Sequence, residues 1–347
     1  MAIAQPFNAL HRKTPVLTVP VGDAAPAGLF MDAASISGGL AFLTGELAKR
    51  DEKLHEPLTS TTWPRDMPVK TGGGFVDSVE MFDVSYATTG GSDEGLIGPE
   101  STELPTVQAD IGKESSKVFY WGHILKVPLI DQQRLQKIGR SLDDILDKGL
   151  HLAYDKAMDK SVYIGFQNHG SYGLVNDPKI VTVVADPHTA SGEDTDWASK
   201  TPDEILSDIN RVLVETWAAC EYDVSGMANH ILIPPKQYTM LVERKVGVTG
   251  DKSILSYLLE NNIGKNQHVD VQVYPSRWCE KAGTGGKDRM VAYCNDIDRV
   301  RFNQTVMLHR VMTQASAADI AYLSPYIAQF SELEWPYRQH AMYMDGI

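Results

Sequence analysis

The segment Gly283–Asp288 reads Gly-Thr-Gly-Gly-Lys-Asp, and a glycine run closed by a lysine is the kind of stretch that cradles phosphate. The pattern is incomplete. Lys281 stands where the first glycine of a phosphate loop belongs, and Asp288 replaces the hydroxyl residue that would hold magnesium. No strand-to-helix context surrounds it, so it is expected to be a surface turn. The ten histidines are scattered, and none forms a short pair with metal-ligand spacing. Gln167–Gly173 (QNHGSYG) is the densest local polar cluster, but Gly165, Gly170 and Gly173 suit a turn. No G-x-S-x-G elbow is present. Cys294 lies in an apolar, strand-like run and is expected to act as a small core hydrophobe. The carboxylate pairs Asp143/Asp144 and Asp203/Glu204 fall in first helical turns, where negative charge complements the helix dipole. Trp63, Phe75, Phe82, Tyr86, Phe119, Tyr120 and Trp121 could stack bases, but no basic residues interleave with them, so packing in a core or interface is the expected role. No catalytic, cofactor-binding or metal-binding constellation emerges, and no cofactor is expected.

Composition narrows the classes further. The chain has 347 residues, 43% of them hydrophobic and 22% charged, enough for a core without staples. A net charge of −13 argues against gripping nucleic-acid phosphates over a large surface. Three cysteines are too few for a disulfide framework and point to a reducing compartment. The opening MAIAQPFNALHRK lacks the apolar core of a signal peptide, and no apolar run approaches the ~18 residues of a membrane span, so no membrane partner is expected.

The elements that would position any functional surface follow in order. Residues 1–62, punctuated by Pro6, Pro15, Pro20 and Pro26, read as an extended arm with one weak helical stretch; its apolar content is too high for a solvated linker. Two strand-like runs, GFVDSVEMFDVSYATT and ESSKVFYWGHILKVP, flank an acidic, glycine-rich stretch from Gly90 to Pro105 that contains Leu96 and Ile97. The simplest assembly is an antiparallel hairpin with a long tip. Arms of about 15–20 residues would reach roughly 50–65 Å at ~3.3 Å per residue. A compact body of this length has a radius of roughly 26 Å. A projecting two-stranded hairpin is marginal in water, so something outside the subunit must hold it. A one-faced helix of ~36 Å follows at about 141–164, started by Ser141 and stopped by Gly165. A second begins at Thr201-Pro202 with Glu204 three residues on. HILIPP reads as a buried strand, PKQYTMLVER and SILSYLLENN as helices, and VDVQVYPS as a strand. KDRMVAYCNDIDRVRFNQ reads as strands joined by the turn NDID, and strand-like pieces close the chain.

As a set, these features resemble the major capsid proteins of tailed bacteriophages, whose fold encapsulin shells share. The resemblance rests on residues 104–180, which run from the return strand through the long helix to a Gly-Leu-x-Asn turn at Gly173–Asn176. It also rests on His230–Arg244 with Ser253–Asn262, and on Arg289–Phe302 with Pro336–Ile347. It implies an α+β fold with an N-terminal arm (1–62), an extended β-hairpin loop (63–128), a peripheral domain (129–195 and 296–347) whose β-sheet packs on a spine helix, and a mixed α/β axial domain (196–295). It implies a structural protein that self-assembles, through hexamers and pentamers, into an icosahedral shell around phage DNA. The loop would lie over one neighbouring copy and the arm would reach another. Inter-subunit contacts are then expected from Trp63, Phe75, Phe82, Tyr86, Leu96, Ile97 and Trp121. The implied partners are further copies of the chain, a separate scaffolding protein, a portal, a decoration protein, and packaged DNA touched non-specifically. The implied location is the virion, assembled in the host cytoplasm. Lys70, Lys113 and Lys117 lie near the hairpin, but nothing selects one for the covalent cross-link some members form. The alternatives are an encapsulin-type nanocompartment shell and a soluble α+β enzyme whose site these patterns do not reveal.

Overall fold

The computed structural model describes residues 60–88, 106–136, 142–189, 192, 194–246 and 252–347. Residues 1–59 of the expected arm, the tip with Leu96 and Ile97, and Ser141 lie outside the described residues. In chain order, the short helix α1 (Trp63–Asp66) and strand β1 (Val69–Thr71) lead into β2 (Ser78–Thr88), β3 (Val107–Pro128), α2 (Leu129–Gln136) and the long α3 (Leu142–Tyr163). Then come β4 (Val181–Val184), α4 (Pro202–Ala219), β5 (His230–Ile233), α5 (Pro235–Glu243), α6 (Ile254–Asn261), α7 (Ile263–Asn266) and β6 (Gln272–Pro275). Strands β7 (Arg289–Tyr293), β8 (Arg301–Gln304), β9 (Val306–Arg310), β10 (Gln314–Ser316), β11 (Ala321–Ser331), β12 (Leu333–Glu334) and β13 (Ala341–Asp345) complete the chain.

The centre is a mixed five-stranded sheet ordered β4-β13-β7-β5-β6. Strands β5, β7 and β13 are buried at every position, which is why they read as nearly continuous apolar runs and not as alternating ones. Their period of two divides the side chains between two cores. Leu232, Val291, Tyr293, Ala341 and Tyr343 pack with Met158, Val162 and Tyr163 of α3. Ile231, Ile233, Met290, Ala292, Met342 and Met344 pack with Ile205, Ile209, Val212 and Leu213 of α4. Helix α4 starts on a capping box. Thr201 accepts from the Glu204 amide while Glu204 accepts from the Thr201 amide. The buried stripe of α3 (Leu150, Tyr154, Met158 and Val162) recurs at a spacing of four.

A second sheet runs β10-β11-β3-β2, with β9 also paired to β11. Within it, β3 serves two partners. Val118–Pro128 pairs antiparallel with Ala321–Ser331 of β11, and Val107–Lys117 pairs with Ser78–Thr88 of β2. Among the described residues the paired part of the hairpin is the 11 residues of β2, roughly 36 Å, because β11 claims the inner half of the 22-residue β3. The third sheet is β1-β8-β12. Strands β7 and β8 lie on either side of NDID, as the sequence reading has them, and do not pair with each other. Both edges of β7 are already taken by β13 and β5, so the chain crosses to another sheet and β8 pairs with β1 and β12.

Candidate assembly surfaces

In the hairpin, register pairs set Phe82 opposite Lys113, Val84 opposite Ile111, Tyr86 opposite Ala109 and Thr88 opposite Val107. The alternate positions set Asp83 opposite Gly112, Ser85 opposite Asp110 and Ala87 opposite Gln108. The ribbon thus has one apolar and one polar face. The apolar face is bare: Phe82 is 64% exposed, Tyr86 75%, Val107 70% and Ile111 66%. Contiguous apolar surface of this kind is a candidate interaction site. At the root, Phe75 stacks on Tyr120 with ring centroids 6.5 Å apart, and Tyr120 and Ile124 are also exposed.

The expected contact residues therefore separate into groups. Phe82 and Tyr86 lie on the bare face and Phe75 beside it at the root. Trp63 and Trp121 are half-buried against the chain's own body. Trp63 sits 6.5 Å from Phe302, and Trp121 stacks on His123 at 4.3 Å and meets the edge of Tyr154 at 5.0 Å. The exposed apolar surface also includes Val84, Val107, Ile111 and Ile124, which the sequence reading does not name, and Tyr120, which it names only as a core or interface aromatic. The i, i+2, i+4 alternation of Phe82, Val84 and Tyr86 could have found Val84, and that of Val107, Ala109 and Ile111 could have found the return strand's share of the face.

Near the first described residues, two buried carboxylates hold residues 62–66. Asp159 of α3 accepts from the amides of Thr62 (3.1 Å) and Trp63 (3.3 Å), from Arg277 Nη2 (2.8 Å) and from Trp278 Nε1 (2.8 Å). Asp66 accepts from Arg65 Nε (2.5 Å), from the Tyr163 hydroxyl and from His230 Nε2 at 3.1 Å, while the Tyr293 hydroxyl donates to its carbonyl. Burial pushes the Asp66 carboxyl up, but the bonds from His230, Arg65 and Tyr163 outweigh it and hold it below the usual carboxylate range. Burial, reinforced by Asp66, pushes the Tyr163 phenol well up, so it stays a donor.

Two arrangements resemble a phosphate loop and a nucleophile–histidine pair in outline, and their partners lie within the chain. Thr284–Gly286 forms a tight turn, but the Thr284 amide donates to Asp345 Oδ2 (2.8 Å), so the loop binds a carboxylate of its own chain. Cys220 Sγ lies 2.8 Å from His340 Nδ1. Arg299 Nη1 donates to His340 Nε2 at 3.1 Å, which leaves the ring proton on Nδ1, within 2.7 Å of the Gly226 carbonyl. Burial lowers the His340 imidazole, with Arg299 adding to it, and raises the Cys220 thiol, so the pair rests neutral. Among the described residues there is no metal-holding cluster of three or more His, Cys, Asp or Glu, and no helix is long and apolar enough to cross a membrane.

The model of the major capsid protein family matches residues 93–347, more than half of the chain. The chain belongs to the major capsid protein family. Solved capsid structures share its fold. The capsid of Myoviridae phage XM1 is 14% identical with a TM-score of 0.71, covering 93% of this chain and 100% of that one. Microbacterium phage Oxtober96 is 12% identical with a TM-score of 0.58, covering 88% of this chain and 98% of that one. The encapsulin complex of Synechococcus elongatus is 13% identical with a TM-score of 0.51, covering 92% of this chain and 96% of that one. No curated protein sequence matches the chain. The α+β fold is that of phage capsids, and this major capsid protein is a shell-forming structural component of the virion.

Proposed function

We propose that this capsid protein closes its shell by laying the bare hairpin face on a neighbouring copy, with residues 1–59 reaching a second neighbour. The observation that carries this reading is the 11-residue ladder whose apolar side has no cover among the described residues. Hexamers and pentamers form from the same subunit, and the shell holds phage DNA. DNA contact is non-specific, in keeping with a charge of −13. Phe75, Phe82, Tyr86, Leu96 and Ile97 make the contacts between copies, and the half-buried Trp63 and Trp121 contribute only their outer edges. A separate scaffolding protein, a portal and a decoration protein complete the set of partners, and assembly takes place in the host cytoplasm. The chain acts by assembly and not by catalysis.

The test is electron microscopy and sedimentation of the purified protein beside a Phe82→Asp/Tyr86→Asp variant. The wild type is expected to form closed particles, and the variant to remain small with an unchanged helical signal. A variant that assembles like wild type overturns the hairpin contact. An encapsulin-type compartment shares the fold, and particles carrying protein cargo with no nucleic acid would decide for it.

A further inference from the structure

Between β1 and β2 the chain passes through Gly72, Gly73 and Gly74, with φ of +108°, +112° and +71°. A side chain at any of the three would meet open space. Packing therefore does not require glycine there; the backbone path does. On the return strand, β3 changes partner from β2 to β11 between Lys117 and Val118. The hairpin is thus joined to the body at two points suited to bending.

Discrete polar tethers fix its angle. The buried Gln329 amide accepts from the Val76 amide (3.1 Å) and donates to the Val76 carbonyl (2.5 Å). The Lys117 amide donates to Glu332 Oε1 at 3.0 Å, and Lys117 Nζ to the His169 carbonyl at 2.7 Å. Farther along the hairpin, Arg338 Nη2 donates to Glu114 Oε1 at 3.0 Å, with Lys179 Nζ at 3.9 Å from the same oxygen. Arg338 is only half engaged. Its Nε is buried without a hydrogen-bond partner and stands 3.9 Å from Asp177 Oδ2. Glu114 travels with the hairpin. Asp177 belongs to the body, where its Oδ1 accepts from the Lys179 amide at 2.9 Å. One guanidinium is therefore hydrogen-bonded to a carboxylate on the projecting element and stands at ion-pair distance, without a hydrogen bond, from one on the fixed element.

We propose that Arg338 is a two-position latch. Bonded to Glu114 it holds the hairpin at the angle seen here. Closed on Asp177 it releases the hairpin to pivot about Gly72–Gly74 and the Lys117/Val118 junction. The use of such a latch rests on the shell reading: hexamers and pentamers differ in curvature, and one hairpin must leave the body at more than one angle to serve both.

The test is hydrogen exchange on the full-length subunit, comparing wild type with Glu114→Gln and Asp177→Asn. The readout is the exchange of the Val76 and Lys117 amides relative to those of β7 in the core. Partly solvated ion pairs of this type shift an equilibrium by up to roughly fivefold. Glu114→Gln is expected to speed root exchange about two- to fivefold. Asp177→Asn, which keeps the oxygen used by the Lys179 amide but removes the competing charge, is expected to slow it. A merely structural role for Asp177 predicts faster exchange instead, and that result, or a ratio unchanged by Glu114→Gln, overturns the latch. The exchange is read on the subunit, so failure of the wild type to form particles would count against the shell reading and not against the latch.

Discussion

Replacing Phe82 by alanine perturbs the proposed inter-subunit contact and almost nothing else. Fully burying a phenylalanine is worth about 1.5–3 kcal/mol. Phe82 is 64% exposed in the subunit, so docking can add about two-thirds of that, roughly 1–2 kcal/mol for each hairpin. Each copy supplies one hairpin, so the critical concentration for assembly should rise about 5- to 30-fold. The assay is light scattering against protein concentration, with the plateau checked by sedimentation. The isolated subunit should keep its denaturation midpoint, because the ring has little of its own body to lose. Asp83→Ala, on the opposite face and opposite Gly112, is the control and should move the critical concentration less than about twofold. A Phe82→Ala change below about twofold, or an Asp83→Ala effect larger than that of Phe82→Ala, refutes the assignment of the apolar face to the contact.

Four further outcomes follow from the body of the subunit. Asp66→Ala strips the partners of a fully buried carboxylate and should cost about 3–5 kcal/mol in urea unfolding. The Asp66 carboxyl is held below its unfolded value, so its contribution is present above about pH 4 and fades as pH falls through the lowered folded value; the gap between wild type and Asp66→Asn should narrow in acid and stay constant toward neutral pH. Gly173→Ala should destabilise by more than about 2 kcal/mol in the same assay, because a Cβ there collides with the Tyr163 backbone at the end of α3. Thr201→Ala should cost about 1 kcal/mol by loss of the α4 capping box, read in the same unfolding curves.

Local chemistry was legible in the sequence, and long-range pairing was not. Thr201, Pro202 and Glu204 announce a helix start through contacts made within three residues, and the structure places α4 there. The fully buried strands and the four-residue repeat of α3 follow from periodicity, which is also local. By contrast, the contacts of Asp66 with Tyr163, His230 and Tyr293 join segments far apart in the chain, and no spacing rule foretells them. The same holds around NDID: the turn between two strands was legible, but not that β7 pairs with β13 and β5 while β8 joins another sheet. The apolar hairpin face was legible from alternation on both strands, Phe82/Val84/Tyr86 and Val107/Ala109/Ile111. Alternation in β2 exposes Phe82, Val84 and Tyr86 as a row, whereas Trp121, equally aromatic, is drawn under α3 by a packing surface its neighbours in sequence do not reveal.

The central claim is most directly tested by cryo-electron microscopy of the assembled particle at side-chain resolution. The account predicts that Phe82, Val84, Tyr86 and Ile111 of every copy lie against a neighbouring copy, at both hexameric and pentameric positions. A closed particle in which that row faces solvent, or a subunit in which it folds back on its own body, would contradict it.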